Sequence, residues 1–383
     1  MGYHQNLKRM KIGVITFSFS KDNYGQILQC YSLQKFLINR NQDAFLIKYD
    51  PKPQDAKPQF KPQNIIKYLS NFKLYLQWWL NNNKERNNHN KYNQDSENTN
   101  RGFNDFFKKF INCTELYTAK SLTENPPHAD IYVCGSDQIW GTGGDWPFYL
   151  SFVPEGKKRI AYAPSMGGIS KIPEDVKPIM TSLLAKFTFI GMREQSGKET
   201  LTQLGIPNVT TVIDPTMLLT SEDYSKIAKM PERDGNYIFV YFLGKPSECD
   251  ISEIYHFAES HGIDVVYVAS GGKIDKYPKT YASIEEWIGY IAKAKFVITN
   301  SFHCTVFALL YNKPFSTILL NKGYERMNCR VEELLRECDL SERIYRGSIS
   351  SVVSSDIDFS GFNSYRKRYA SASGKLLMDA ILE

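Results

Sequence analysis

The residues with the most chemistry to offer lie in short runs that each follow an apolar stretch. In Ile298-Thr299-Asn300-Ser301-Phe302-His303-Cys304-Thr305 a buried-type strand gives way to a helix near Ser301. A helix start offers free backbone N–H groups and the positive end of a dipole, which suits an anion. His303 stands at that opening, and an imidazole can give or take a proton near neutral pH. The same histidine can equally be a hydrogen-bonded structural residue, and Ser301 and Thr305 can serve as cap or first-turn residues.

Arg193, in Ile190-Gly191-Met192-Arg193-Glu194, also follows a strand and opens a helix. Its guanidinium can grip a carboxylate or phosphate with two parallel bonds, or be taken up by Glu194 or another acid. Asp22-Asn23-Tyr24-Gly25-Gln26 follows the first strand, where Gly25 permits close backbone approach. This run is either an anion-binding helix start or a plain turn, and it is not a dinucleotide fingerprint. In Gly135-Ser136-Asp137-Gln138-Ile139-Trp140, Asp137 can accept protons from sugar hydroxyls and Trp140 can stack on a sugar ring. The bland alternative is a turn anchored by an aromatic. Asp214-Pro215-Thr216 reads as a strand terminator or hinge. Neither a metalloprotease HExxH nor a hydrolase GxSxG run is present.

These runs need a scaffold of parallel strands with helices between them. Lys11–Phe17 and Ala44–Tyr49 are apolar and β-rich, and Gly25–Asn39 between them has helical spacing. The rhythm resumes with strands at Ala129–Cys134, Arg159–Ala163, Phe187–Met192 and Val209–Ile213. A second set starts at Tyr237–Leu243 and runs through Asp264–Ala269, Phe296–Thr299 and Phe315–Leu319. Two α/β sets with a junction near residues 214–236 predict two doubly wound units, with ligands beyond the carboxyl ends of the strands. Residues 52–110 read as an insertion, with an aromatic helix at Ile65–Leu80, an Asn-rich stretch at 81–100 and a helix at Phe103–Ile111. The Ile65–Trp79 segment could pack on the first unit or lie on a membrane surface. A last amphipathic helix spans Phe362–Leu382.

Composition excludes several classes. The chain has 383 residues, 42% apolar and 14% aromatic, enough for full cores. A net charge of +6 is too dilute to argue for nucleic acid. Seven scattered cysteines without a CxxC pair argue against a disulfide framework or zinc site. No apolar run approaches the ~18 residues of a membrane span, and the expected location is cytoplasmic.

Taken together, the runs resemble the polysaccharide pyruvyl transferase family. The resemblance is carried by Asp22–Leu33, Gly135–Trp140, Tyr162–Gly167, Arg193-Glu194, Asp214–Leu219 and Thr299–Phe307, in order and spacing from about residue 11 to about residue 345. Cys304 stands where a glycine is common in the family, and residues 52–110 match nothing in it. The resemblance implies a GT-B-like fold of two facing Rossmann-like domains. Residues 1–215 would form the acceptor side and 216–361 the donor side, with 362–383 crossing back to the first domain. It also implies phosphoenolpyruvate as donor and a pyruvate ketal on a sugar diol as product, in capsular or exopolysaccharide synthesis. His303 falls on the family's catalytic histidine.

The expected donor contacts are Arg193, Asn300, Ser301, Phe302 and Arg330, with Lys322 and Arg326 as further candidates. The expected acceptor contacts are Asn23, Tyr24, Gly25, Asp137, Gln138, Trp140 and Ser165. No metal, cofactor or nucleic acid is called for. The acceptor could be lipid-linked, which would bring the protein to the inner membrane face. Two other readings stay open: a GT-B glycosyltransferase using a nucleotide sugar, and a silent sugar-binding protein of polysaccharide assembly.

Overall fold

The first unit is a six-stranded parallel sheet. A computed structural model describes residues 9–51, 101–141, 144–271, 273, 275–353 and 356–383. The strands are β1 (Lys11–Ile15), β2 (Asp43–Leu46), β3 (Ile131–Cys134), β4 (Lys158–Tyr162), β5 (Phe189–Met192) and β6 (Val209–Thr211), in the order β2-β1-β3-β4-β5-β6. The second unit is a four-stranded parallel sheet, ordered β10-β9-β7-β8. Its strands are β7 (Tyr237–Tyr241), β8 (Asp264–Val268), β9 (Phe296–Thr299) and β10 (Phe315–Thr317). β3, β7 and β9 are buried along their whole length, which is why they read as unbroken apolar runs rather than alternating ones.

Both units are α/β, as expected, and the elements sit within a few residues of where the sequence puts them. The first helix is Tyr24–Ile38, started by Asn23, whose side chain accepts from the Gln26 amide. The helix expected from Phe362 starts earlier and runs Ser360–Leu382. It crosses back onto the first unit. Ser373 Oγ accepts from the Ile213 amide at 3.1 Å, and Lys158 donates to the Ala380 and Ile381 carbonyls. The expected helix at Ile65–Leu80 and the Asn-rich stretch fall outside the described residues. The Phe103–Phe110 helix is present and buries Phe103 and Phe106. No helix among the described residues is long and apolar enough to cross a membrane.

An aromatic cluster joins the two units. Tyr24 stacks on Trp287 with centroids 5.2 Å apart and planes 9° from parallel. Its hydroxyl donates to the Ala282 carbonyl and accepts from Arg101, each at 2.7 Å. Tyr241 and Phe307 pack edge-on to the same indole. Such buried aromatic pairs contribute roughly 0.5–1.5 kcal/mol each beyond their area. They dock the start of the first helix on the second unit and so fix the cleft between the carboxyl ends of the two sheets.

Candidate active site

β9 ends at Thr299, and the next helix, Phe302–Leu310, is capped by Ser301, whose hydroxyl accepts from the Cys304 amide at 3.4 Å. All nine helical residues are buried, so the helix is packed on every side. His303, in its first turn, is only 6% exposed. The Gly25 backbone lies against its ring from the other unit, and a Cβ at Gly25 would overlap the imidazole. The close approach foreseen at Gly25 is therefore to His303, not to a ligand.

His303 Nε2 lies 3.4 Å from Asp214 Oδ2. Asp214 is fully buried just beyond β6, and it is more than the strand terminator its sequence suggests. Its Oδ1 accepts from the Thr216 amide and hydroxyl, at 2.9 and 2.6 Å. Its Oδ2 accepts from Arg193 Nη1 at 2.9 Å. Burial opposes its charge, but His303, Arg193 and Thr216 more than offset that, so its carboxyl is held well below the usual carboxylate range.

Arg193 is surrounded by acids. Glu194 lies 3.2 Å from Nε, Asp214 2.9 Å from Nη1 and Asp137 3.9 Å from Nη2. Burial works against its charge, and these three carboxylates more than restore it. The donor grip expected of Arg193 is thus largely taken up by ion pairs, although Nη2 has no hydrogen-bond partner among the described residues.

A cleft of about 650 Å³ opens between the units in front of His303. Asn23, Asp137, Gln138, Asn300, Ser301, Phe302 and Arg330 of the expected residues line it. Lys245 and Arg326 line it too. Burial, then Arg330, pushes the Lys245 ammonium below its ordinary value; burial, then Arg193, does the same to Arg330. Crowded cations pushed down in this way are what a bound anion would relieve. Lys245 was not foreseen, because it lies on an unremarkable loop after β7. Lys322 is exposed and outside the lining. A smaller cavity of about 360 Å³ lies behind, bounded by Arg193, Asp214 and Tyr365 and sharing Phe302 and Arg330 with the cleft.

Four acceptor expectations are corrected. Trp140 is buried, stacked on Tyr149 at 5.1 Å, and its N–H donates to the Phe148 carbonyl, so no face is left for a sugar. Tyr24 belongs to the aromatic joint between the units. Ser165 is buried and accepts from the Gly167 amide. Gly25 serves His303. Among the donor expectations, the Asn300 amide is engaged at both ends with Leu243, so it shapes the wall of the cleft. The aromatics at the cleft are instead Phe17, Phe302 and Tyr324. Phe19 packs edge-on to Phe17 and is 45% exposed. A Phe-x-Phe run directly after a strand was the available signal.

A family model described as polysaccharide pyruvyl transferase matches residues 23–320, which includes the first helix, Arg193, Asp214 and His303. The chain belongs to the polysaccharide pyruvyl transferase family. Among curated proteins none matches it. Of solved structures, UDP-GlcNAc 2-epimerase from Neisseria meningitidis bound to UDP-GlcNAc is similar with a TM-score of 0.48 and 10% identity, over 97% of this chain and 99% of that one. Arabidopsis thaliana UGT89C1 complexed with UDP-L-rhamnose gives 0.48 and 10%, over 98% of each chain. Likenesses this distant carry no argument about function.

Proposed function

We propose that this chain transfers the pyruvyl group of phosphoenolpyruvate onto two hydroxyls of a sugar, forming a ketal and releasing phosphate. The observation that carries this reading is the placement of His303 at a capped helix start, facing a cleft with three cations. The donor has two anionic groups, and Arg330, Lys245, Arg326 and the free N–H groups after Ser301 supply matching charge. His303 in its protonated form gives a proton to the donor's terminal carbon. A sugar hydroxyl then attacks the adjacent carbon, phosphate leaves, and a second hydroxyl closes the ring. One proton ends on carbon and one on phosphate, both supplied by the two hydroxyls once His303 is reprotonated.

Phe17, Phe19 and Tyr324, with Asp137 and Gln138, are the proposed acceptor contacts. A lipid-linked acceptor in capsule or exopolysaccharide assembly, met at the cytoplasmic face of the membrane, fits a cleft with exposed aromatic edges. The test is phosphate release from phosphoenolpyruvate with a panel of galactose, mannose and glucosamine acceptors. Acceptor-dependent release should fall by roughly 10²–10⁴-fold in His303→Gln, the usual worth of a general acid. Equal rates in that variant, or no donor binding at millimolar concentration, would overturn the reading.

A further inference from the structure

His303 presents its two ring nitrogens to very different surroundings. Nε2 is buried and, among the described residues, has no partner in good hydrogen-bond geometry. The atom it faces is Asp214 Oδ2, 3.4 Å away. That carboxylate cannot turn aside, because Arg193 and the Thr216 amide and hydroxyl hold it by three bonds of 2.6–2.9 Å. Ser136 Oγ adds a fourth at 3.4 Å. Nδ1 lies beside the Gly25 backbone, which approaches this closely only because Gly25 has no side chain, and it faces no acid there. Gly25 sits between Asn23 and Gln26, which line the cleft with His303 itself.

A neutral imidazole carries one N–H, and a fixed buried anion beside one nitrogen draws the proton there. We propose that Asp214 is the positioning residue of this site: it accepts from His303 Nε2–H, fixes the ring's tautomer and orientation, and so makes Nδ1 the nitrogen that serves the substrate. Combined with the pyruvyl-transfer reading, on which this part rests, the step balances. The Nδ1–H bond of the imidazolium breaks as the donor's terminal carbon takes that proton, using the electron pair of its double bond. The imidazole is left neutral with its proton on Nε2, and the positive charge passes to the adjacent carbon, where the sugar hydroxyl adds and phosphate departs. Asp214 is fully buried and is not among the residues that line the cleft. Arg193, in turn, balances Asp214, which gives its enclosed ion pairs a purpose other than anion binding.

The experiment is a long-range ¹H–¹⁵N correlation on the full chain labelled in histidine nitrogen. The chain has six histidines, and the His303 signals are those missing from His303→Gln. In the wild type at a pH where the ring is neutral, the expected pattern is the Nε2–H tautomer. In Asp214→Asn, it should shift toward Nδ1–H or a mixture, with kcat down about 10²–10⁴-fold, as for loss of a general acid. The donor KM should change only a few-fold, and Asp214→Glu should recover part of both. A wild-type ring protonated on Nδ1, or a tautomer that Asp214→Asn leaves unchanged, would overturn the assignment. The wild-type spectrum decides even if the variant does not fold. An Nε2–H tautomer in a protein that binds no phosphoenolpyruvate at millimolar concentration would keep the positioning role and remove the pyruvyl-transfer reading instead.

Discussion

Two arginines flank the same ring, and they do opposite things. The Arg193 guanidinium lies 5.0 Å from the Phe302 centroid and that of Arg330 lies 5.6 Å from it. Arg193 is enclosed with Glu194, Asp214 and Asp137, so its field is cancelled locally and its job is to hold carboxylates in place. Among the described residues Arg330 has one hydrogen bond, from Nε to the Met327 carbonyl at 3.3 Å, and it shares the cleft with Lys245 and Arg326. The same residue type is therefore a structural charge on one side of Phe302 and an offered charge on the other. What separates the two roles is how many acids surround each guanidinium.

That contrast can be broken most sharply at the enclosed side. Arg193→Met leaves buried carboxylates without their partner, and such losses cost roughly 3–5 kcal/mol of stability. Urea unfolding should show this with donor absent, and a variant as stable as wild type would make Arg193 a ligand residue after all. Arg330→Gln should do the reverse. Stability should change little, while phosphoenolpyruvate binding by calorimetry weakens by the roughly 1.5–3 kcal/mol typical of a bond to a charged group. Lys245→Met, nearer the rim, should weaken donor binding by about 1 kcal/mol or less and make the remainder less sensitive to salt.

The smallest effect is expected in acid. Asp214 has a folded value held below its unfolded one, so it contributes stability that is complete above the unfolded carboxylate range near pH ~4 and is lost as pH falls below it. The gap in Tm between wild type and Asp214→Asn should stay constant from about pH 7 to 5 and narrow below about pH 4. A gap that stays open in strong acid would mean that Asp214 acts through packing and not through its charge.

Much of the scaffold was legible because parallel sheets bury both faces. Their strands show as continuous apolar runs, and the turns after them collect the small and polar residues that chemistry needs. His303, Arg193 and the run at Asp137 all stand just beyond such strands. The failures share one cause. Trp140 has the composition of a sugar platform, but whether an indole face is free depends on Tyr149 and Phe148 packing around it. Asp214 reads as a terminator in sequence because its distant partners come from the turn after β5 and the helix after β9. Lys245 carries no local pattern, and the short helix Ala119–Glu124 and the helix Cys329–Glu337 are not among the elements read from the sequence.

The sequence by itself determined the order of strands and helices, the cap at Ser301 and the position of His303 in the first helical turn. Each depends on residues within one or two turns of chain, where propensity and hydrogen bonding act locally. Only the tertiary structure decided which nitrogen of His303 faces an acid, that Gly25 yields its space to that ring, and which arginine keeps its charge available. Those are settled by contacts between residues far apart in the chain, and burial sets their strength, because a charge removed from water is governed by whichever partner packing places beside it.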